Sequence, residues 1–303
     1  MLAITTTSLP TDPAGWAAEV KWDGYRALGY HDQQGLRLRS RRGTDMAPWF
    51  PELAGLQQAL GGREVVLDGE VVALGPDGHP DFAGLQQRMR RRPTTRRPPE
   101  PAVIYLVFDV LWLNGRLVTG LPLTERRGLL DDLGLAGSAW QPTTLFVGQA
   151  AELWAASRQQ GLAGIVVKRL ASPYRPGRRS SDWRKLLNYQ HDRFLVGGYV
   201  PGPDGVAALL VGTPDPTTGG LRFVGRIDHG LLAPTRRRLG ELLASRRAEV
   251  SPFTIDPLPS GRWGQPAGRE PAVVFVRPEM TVRVRHLGWE AGRLRHAAYR
   301  GVA

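Results

Sequence analysis

Apolar residues in this chain fall mostly at alternate positions or in short unbroken runs, and only a few segments repeat at helical spacing. Residues 15 to 40 read as two strands around Asp23-Gly24, a dipeptide with strong hairpin tendency. The stretch 35–43, GLRLRSRRG, alternates apolar and basic side chains and breaks at Gly43. From Pro51, PELAGLQQAL places proline at a first helical position and Leu53, Leu56 and Leu60 at helical spacing. REVVLDGEVVAL, 63–74, reads as two short β-rich runs around Asp68-Gly69. DFAGLQQRM, 81–89, sets Phe82, Leu85 and Met89 on one helical face. Residues 90–100 are rich in Arg and Pro and are expected to form a mobile loop. AVIYLVFDVLWL, 102–113, is a near-continuous apolar run, the mark of a buried strand, with Asn114-Gly115 as its turn. TERRGLLDDL predicts a helix with Thr124 as N-cap. AELWAASRQQGL predicts another, ending at Gly161, and AGIVVKRL, 163–170, a strand ending in two basic residues.

The pattern changes near residues 188–193. Beyond it come the short strands FLVGGYV, VAALLVG and LRFVGRI with Gly-rich turns, then the helix APTRRRLGELLASRR. VVFVRPEMTVRVRHLGW and GRLRHAAYR close the chain. Short strands with a single helix point to a small closed β-barrel of the OB type. The expected architecture is therefore α+β: a first domain over 1–189 and a small β-barrel domain over 190–303.

The 303 residues suffice for two domains. Lys+Arg 40 against Asp+Glu 28 gives a net charge of +12, carried largely by arginine. Such a balance favours a polyanionic partner, most simply nucleic acid, although a high Arg, Ala, Gly and Pro content also follows from GC-rich coding. The chain has no cysteine, which excludes disulfides, Cys-ligated zinc and Cys nucleophiles. The N-terminal stretch lacks the basic and apolar regions of a signal peptide, and no apolar run is long enough to cross a membrane. A cytoplasmic location, nucleoid-associated in a bacterium, is the expectation.

Lys21-Trp22-Asp23-Gly24-Tyr25-Arg26 is the most informative segment. A lysine at the end of a strand-like run, followed at once by Asp-Gly, suits an amine held rigidly towards a pocket as a nucleophile. It equally suits a solvated lysine beside a hairpin. Four further segments follow in order: SRRG (40–43), LDGE (67–70), FDVL (108–111) and GIVVKR (164–169), with SSDWRKL (180–186) after them. Each alone has a plain structural explanation. Phe108 suits strand core, Glu70 a solvated strand, Arg41 a basic face, Lys168 a strand end and Trp183 packing. None of these explains the shared order.

That order and spacing resembles the nucleotidyltransferase superfamily of ATP-dependent DNA ligases and mRNA capping enzymes. It is similar in particular to the ligase module of bacterial end-joining ligases, across nearly the whole chain. The resemblance implies an adenylation domain followed by an OB-fold domain that closes over DNA through a hinge near Asn188 to Arg193. It implies that Lys21 attacks the α-phosphate of ATP, releasing pyrophosphate and forming lysyl–AMP. AMP then passes to a 5′-phosphate at a nick, and a 3′-hydroxyl displaces it. It assigns Arg26 and Arg41 to ribose or phosphate, Glu70 to ribose hydroxyls or the metal, and Phe108 to the adenine face. Lys168 and Lys185 go to the α-phosphate and Glu19 to the adenine edge. Magnesium is the implied ion, with manganese as an alternative. The implied partners are nicked or broken double-stranded DNA and a Ku-type end-binding protein, with the chain acting as a monomer and without a membrane.

Three departures accompany the resemblance. Ala163 stands where the family carries a glutamate that helps hold a metal. Leu187 stands where it carries a second lysine after Trp183, and Arg184, beside Lys185, is expected to point the other way on a strand. The family's Arg-x-Asp-Lys element, which orients pyrophosphate, is not found before Ala303. The expected function is ATP-dependent sealing of nicks or ends in DNA repair, with activity reduced by these losses. The alternatives are a non-catalytic nick- or end-binding module, a sealer of pre-adenylated ends, and RNA ligation or capping.

Overall fold

Alternating apolar and polar positions build a mostly β structure. The computed structural model describes residues 1–90, 93–94, 100–254, 272–290 and 292–303. The expected Arg/Pro-rich loop over 90–100 lies largely outside them. Two compact units result, Met1–Asn188 and Tyr189–Ala303.

The first unit runs β1 (Leu2–Thr5), β2 (Trp16–Val20), β3 (Tyr25–Asp32), β4 (Gly35–Ser40), α1 (Leu56–Leu60), β5 (Val65–Ala73), α2 (Phe82–Arg90) and β6 (Val103–Leu113). It continues with β7 (Arg116–Leu117), α3 (Leu123–Asp131), β8 (Trp140–Pro142), β9 (Phe146–Val147), α4 (Ala150–Gln159), β10 (Gly164–Arg169) and β11 (Arg179–Leu187). One sheet has the order β1-β11-β10-β2-β9; the other is β4-β3-β5-β6-β7, with β8 beside β6. Leu53, Leu56 and Leu60 are buried against the second sheet together with Leu85 of α2, as their spacing predicts. The first sheet buries Trp16, Ala18, Ile165, Val167 and Leu186 against Leu153 and Trp154 of α4. A small cluster of Met1, Leu111, Tyr174 and Trp183, with Ala3, Leu28, Val66 and Phe108 packed on it, joins the two sheets.

Three local expectations are corrected. Asp23-Gly24 is no hairpin: β2 and β3 belong to different sheets, so this turn carries the chain across from one to the other. Asp68-Gly69 is no turn either, but the middle of the continuous strand β5. Glycine is needed there for close packing, because a Cβ would lie 2.5 Å from the Tyr105 ring and 2.7 Å from Leu106 O. Thr124 lies inside α3, whose N-cap is Pro122 without any side-chain cap. Asn114-Gly115 does form the turn after β6, with φ of 46° and 82°, and Gly161 follows α4 with φ of 64°.

The second unit runs β12 (Gln190–Gly202), β13 (Gly205–Pro214), β14 (Leu221–Ile227), α5 (Ala233–Ala244), β15 (Val274–Phe275), β16 (Thr281–His286), β17 (Trp289–Glu290), β18 (Arg293–Leu294) and β19 (Ala298–Val302). Its sheet has the order β14-β13-β12-β16-β19, with β15 on β12. A bridge from His229, just past β14, to Ala298 of β19 returns the last strand to the first and curls the sheet into a barrel. Val196, Leu209, Val211, Ile227, Val282 and Val284 fill it beneath Leu239 and Leu243 of α5.

Arg126 of α3 is wholly buried, as is its partner Asp109 of β6. The guanidinium donates to both Asp109 oxygens, at 2.8 and 2.9 Å, and to the carbonyls of Leu121 at 2.6 Å and Ser172 at 2.9 Å. Breaking a buried pair strands a charge and costs about 3–5 kcal/mol. Arg126→Met is expected to lose that much in urea unfolding followed by tryptophan fluorescence. Arg127→Met, which breaks the more exposed Arg127–Asp131 pair and a long 3.5 Å contact to Thr143 Oγ1, is expected to lose about 1 kcal/mol or less. Equal losses would show that burial of the Arg126 pair carries no special weight.

Candidate active site

Strand alternation decides which side chains of the first sheet share a face. Glu19 of β2 pairs across to Val166 of β10, and Val166 to Lys185 of β11. In the next row Ala17 pairs with Lys168, and Lys168 with Trp183. Glu19, Val166, Lys168, Trp183 and Lys185 all line one cavity. The intervening residues Ala18, Ile165, Val167 and Leu186 point to the opposite face, where α4 packs. Arg184 lies with them: its guanidinium is 4.4 Å from the Trp16 ring centroid, and it does not reach the cavity.

The second sheet supplies Arg26, Glu70 and Phe108. Arg26 of β3 lies opposite Glu70 of β5. Phe108 of β6 is the extra residue of a β-bulge, because Asp68 pairs with Asp109 and Gly69 with Val107. A bulge re-aims a side chain, and Phe108 meets Trp183 edge to face with centroids 6.1 Å apart.

Lys21 and Trp22 follow β2 directly. The Lys21 amide donates to Gly164 O at 2.9 Å, and its ammonium to Trp22 O at 3.2 Å. Gly164 must be glycine. Its φ is +138°, and a Cβ would lie 2.0 Å from Leu186 O. The small residue that begins β10 thus lets β2, β10 and β11 approach closely enough to hold the lysine backbone.

The cavity measures about 140 Å³ and is lined by Ala3, Val20, Trp22 and Val166 besides the charged and aromatic residues. It gathers Lys21, Glu19, Arg26, Glu70, Phe108, Lys168 and Lys185. Of the residues expected from the sequence, Arg41 stands apart, exposed in the turn after β4. Ala163 and Leu187 also lie outside the lining.

Lys168 is buried between two rings, with its ammonium 4.5 Å from the Phe108 centroid and 4.3 Å from that of Trp183. Its Nζ lies 2.5 Å from Glu19 Oε1 as an ion pair, yet it has no hydrogen-bond acceptor of sound geometry among the described residues. Glu19 accepts a second contact from Thr143 Oγ1 at 3.0 Å. Arg26 is held otherwise than sequence reasoning supposes. Its fork donates to Asp68 at 2.9 and 2.5 Å, to Met1 O at 2.6 Å and to the Tyr174 hydroxyl at 3.2 Å. Asp68 and Tyr174 are the residues that sequence reasoning missed as parts of the site. Asp68 lies in the LDGE segment and Tyr174 between GIVVKR and SSDWRKL, but nothing local marks either as a partner of Arg26.

Burial pushes the Glu70 carboxyl from 4.5 up to about 7, against the opposing pull of Lys21 and Arg26. Burial likewise lowers the Lys185 ammonium, with Lys21 and Arg179 adding to the effect. Among the described residues the site thus holds two neighbouring ammonium groups without a carboxylate pair, a buried third paired with Glu19, and a flat aromatic face. It suits a guest that is anionic at one end and aromatic at the other.

Comparison with known proteins follows the same lines. Residues 1–186 match the family model of the ATP dependent DNA ligase domain, and residues 202–303 that of the ATP dependent DNA ligase C terminal region. The multifunctional non-homologous end joining DNA repair protein LigD of Mycobacterium tuberculosis is 37% identical over 307 residues, covering 100% of this chain. The chain spans only 38% of that relative's length. DNA ligase C2 of Mycolicibacterium smegmatis is 33% identical, over 94% of this chain and 85% of its own. The solved ligase domain of M. tuberculosis LigD is 35% identical with a TM-score of 0.57, covering 100% of this chain and 93% of that one.

Glu70 yields a pH prediction. Between about 4.5 and 7 the folded chain keeps a proton that the unfolded chain has released. The stability this provides is fully present below about pH 4.5 and is lost as pH rises through about 7. Glu70→Gln keeps the site neutral throughout. Its stability advantage over the native chain is expected to grow across that window to on the order of 2 kcal/mol. Thermal melts of both proteins from acid to neutral pH check this; a constant difference would refute the assignment.

Proposed function

We propose that this chain, which belongs to the ATP-dependent DNA ligase family, seals breaks in double-stranded DNA through an adenylated Lys21. The observation that carries the reading is the convergence of Lys21, Lys168 and Lys185 with Phe108 around one cavity of the first unit. In this reading the Lys21 amine attacks the α-phosphorus of ATP. The new N–P bond forms as the bond to pyrophosphate breaks. The adenylyl group then passes to a 5′-phosphate, and the 3′-hydroxyl of the adjoining strand displaces AMP. Every step is a displacement at phosphorus, so positioning and charge neutralisation dominate the catalysis.

Each residue takes a part. Phe108 offers a face to adenine, and Glu19 lies at the edge of that site. Lys185, which no carboxylate holds among the described residues, faces the phosphate together with Lys168, whose ammonium is paired with Glu19. Arg26 is a positioning residue: Asp68 holds its fork, so that its flat guanidinium backs the Phe108 ring at 5.4 Å. Arg41 acts from outside the cavity, if at all, through its exposed turn.

Among the described residues, no three His, Cys, Asp or Glu side chains gather as a metal site. Glu70 is the cavity carboxylate that no ion pair already holds. A hard divalent ion bound chiefly through phosphate oxygens and water needs no more than one carboxylate. Glu70 therefore fits magnesium, or manganese, in company with the nucleotide. Bound there, the ion would neutralise phosphate charge. A phosphate alone would favour protonated Glu70, and a cation alone would meet Lys21 and Arg26; the two together leave every charge matched.

The proposed setting is end joining, because the long relatives carry that role in their names. A Ku-type end-binding protein would then deliver broken ends to this chain, acting as a monomer in the cytoplasm at the nucleoid. No helix among the described residues is long and apolar enough to cross a membrane.

Self-adenylation tests the reading. With α-labelled ATP and magnesium, covalent label is expected on the native chain and none on Lys21→Ala. Lys168→Met is expected to reduce labelling by about a hundredfold or more, as loss of one preorganised charge contact does. Absence of label on the native chain would remove independent adenylation and leave the sealing of pre-adenylated ends.

A further inference from the structure

The segment that holds the Lys21 backbone is loose by its own sequence. Gly161 and Gly164 bracket Leu162-Ala163, and both take left-handed backbone, with φ of 64° and 138°. Glycine gives up more conformational freedom on ordering than any other residue. Yet Gly164 has to be still, because its carbonyl accepts the Lys21 amide at 2.9 Å. That bond extends the pairing of β2 with β10 past Val20 and Ile165, to the point where the chain leaves the sheet.

Asn188, the residue after β11, supplies the hold. Its Oδ1 accepts from Trp154 Nε1 of α4 at 2.8 Å. Its Nδ2 donates to Ser157 Oγ and to Leu162 O, both at 2.9 Å. Its main-chain N–H donates to Ala163 O at 3.0 Å. The orientation of the amide follows from its partners, since an indole N–H only donates and a carbonyl only accepts. One residue thus joins α4, the glycine-bracketed turn and the end of β11. Ala163 has no side chain with which to anchor the turn itself, and its carbonyl is what Asn188 grips.

Charge gives the tie a load to bear. Lys185 of β11 faces the cavity with Lys21. Burial and then Lys21 lower the Lys185 ammonium, so the two groups oppose each other. Lys21 hangs from Gly164, and Gly164 pairs with Leu187 of β11. Repulsion between the ammonium groups pushes these two supports apart. The Asn188 amide spans them.

We propose that Asn188 is a positioning residue for the nucleophile: its amide clasps the 162–164 turn against β11, so that Gly164 O holds the Lys21 backbone in line for attack on phosphorus. This rests on the ligase reading and deepens it. Asn188 does not line the cavity and acts only through the turn. The bond that carries the effect is Nδ2 to Leu162 O. The bonds to Trp154 and Ser157 orient the amide from α4.

The test uses the full chain. The rate of covalent labelling by α-labelled ATP is followed as ATP is raised, which separates the maximal rate from the half-saturating concentration. Asn188→Asp and Asn188→Ala are compared with Ser157→Ala. Asn188→Asp keeps the size of the side chain and the acceptor for Trp154, but turns a carboxylate oxygen towards Leu162 O. Ser157→Ala removes one bond of the same amide and leaves the bond to Leu162. Misplacing a reacting group by about 1 Å costs on the order of a hundredfold in rate. Both Asn188 variants are therefore expected to lower the maximal rate about ten- to a hundredfold. Their half-saturating ATP concentration should stay within about twofold of native, because the residues around the nucleotide are untouched. Ser157→Ala should label at close to the native rate, although it too is expected to melt lower. Sealing of a pre-adenylated nick, which does not use the Lys21 amine as nucleophile, should be unchanged in all three.

If the native chain takes label and Asn188→Asp matches its rate, the clasp is wrong and the ligase reading stands. Losses of labelling that follow melting temperature across all three variants, or an equal loss in sealing the pre-adenylated nick, would make Asn188 a stability residue and overturn the positioning role. If the native chain takes no label, adenylation of Lys21 and its positioning by Asn188 fall together.

Discussion

Asp68 has no solvent exposure, and the geometry of the first unit turns on how that charge is matched. A buried carboxylate persists only when cations and hydrogen-bond donors surround it. Here both arms of the Arg26 fork and the Tyr174 hydroxyl, at 2.7 Å, converge on it. Burial opposes the guanidinium charge, but Asp68 more than offsets this and holds the Arg26 pKa above its ordinary value. Arg26 also reaches Met1 O, beside the strand that pairs with β11. One carboxylate therefore ties β3 and β5 of one sheet to segments bordering the other, and fixes a flat cation against Phe108. The aromatic wall of the cavity inherits its position from this anchor.

The alternation of apolar residues made the fold class legible, and the long runs 102–113 and 163–170 were strands as read. Glycine was the main source of error. Asp-Gly signals a turn when read locally, yet Gly69 is called for by the Tyr105 ring packed against it from β6. Asp23-Gly24 connects strands of different sheets, a relation that no local window contains. Thr124 failed as a cap because Pro122 already sets the entry to α3. In the site, ordered motifs located seven of the expected side chains on one cavity, leaving Arg41 outside. Their pairings were not legible. Arg26 and Asp68 are 42 residues apart and Arg26 and Tyr174 are 148 apart, and only the folded sheets make them neighbours. The bulge that re-aims Phe108 likewise depends on register with β5, which sequence pattern alone leaves open.

The two units treat their cations in opposite ways. The first buries Arg126 and Lys168, half-buries Arg26, and gives each a carboxylate, so that much of its charge is internal and structural. The second leaves Arg193, Arg283 and Arg300 exposed on its strands without such partners among the described residues. A net charge of +12 is therefore a poor guide to where a polyanion would bind. What matters is which cations remain unmatched after folding. By that measure the rim of the cavity at Lys21 and Lys185 is one such place.

The same distinction bears on the departures at Ala163 and Leu187. Strand alternation gives Leu187 the same facing as Lys185 and Trp183, opposite Gly164. A lysine there would have pointed towards the cavity side, yet neither Leu187 nor Ala163 reaches the lining. The cavity keeps Lys21, Arg26, Lys168 and Lys185, and among the described residues Glu70 is the cavity carboxylate that no ion pair holds. The substitutions thus thin the charge around the rim while leaving the central set and its anchors in place. On the ligase reading proposed above, their effect would fall on the handling of a long polyphosphate at the rim more than on its aromatic end, which would rest on Phe108, Trp183 and the half-buried Arg26 that Asp68 holds.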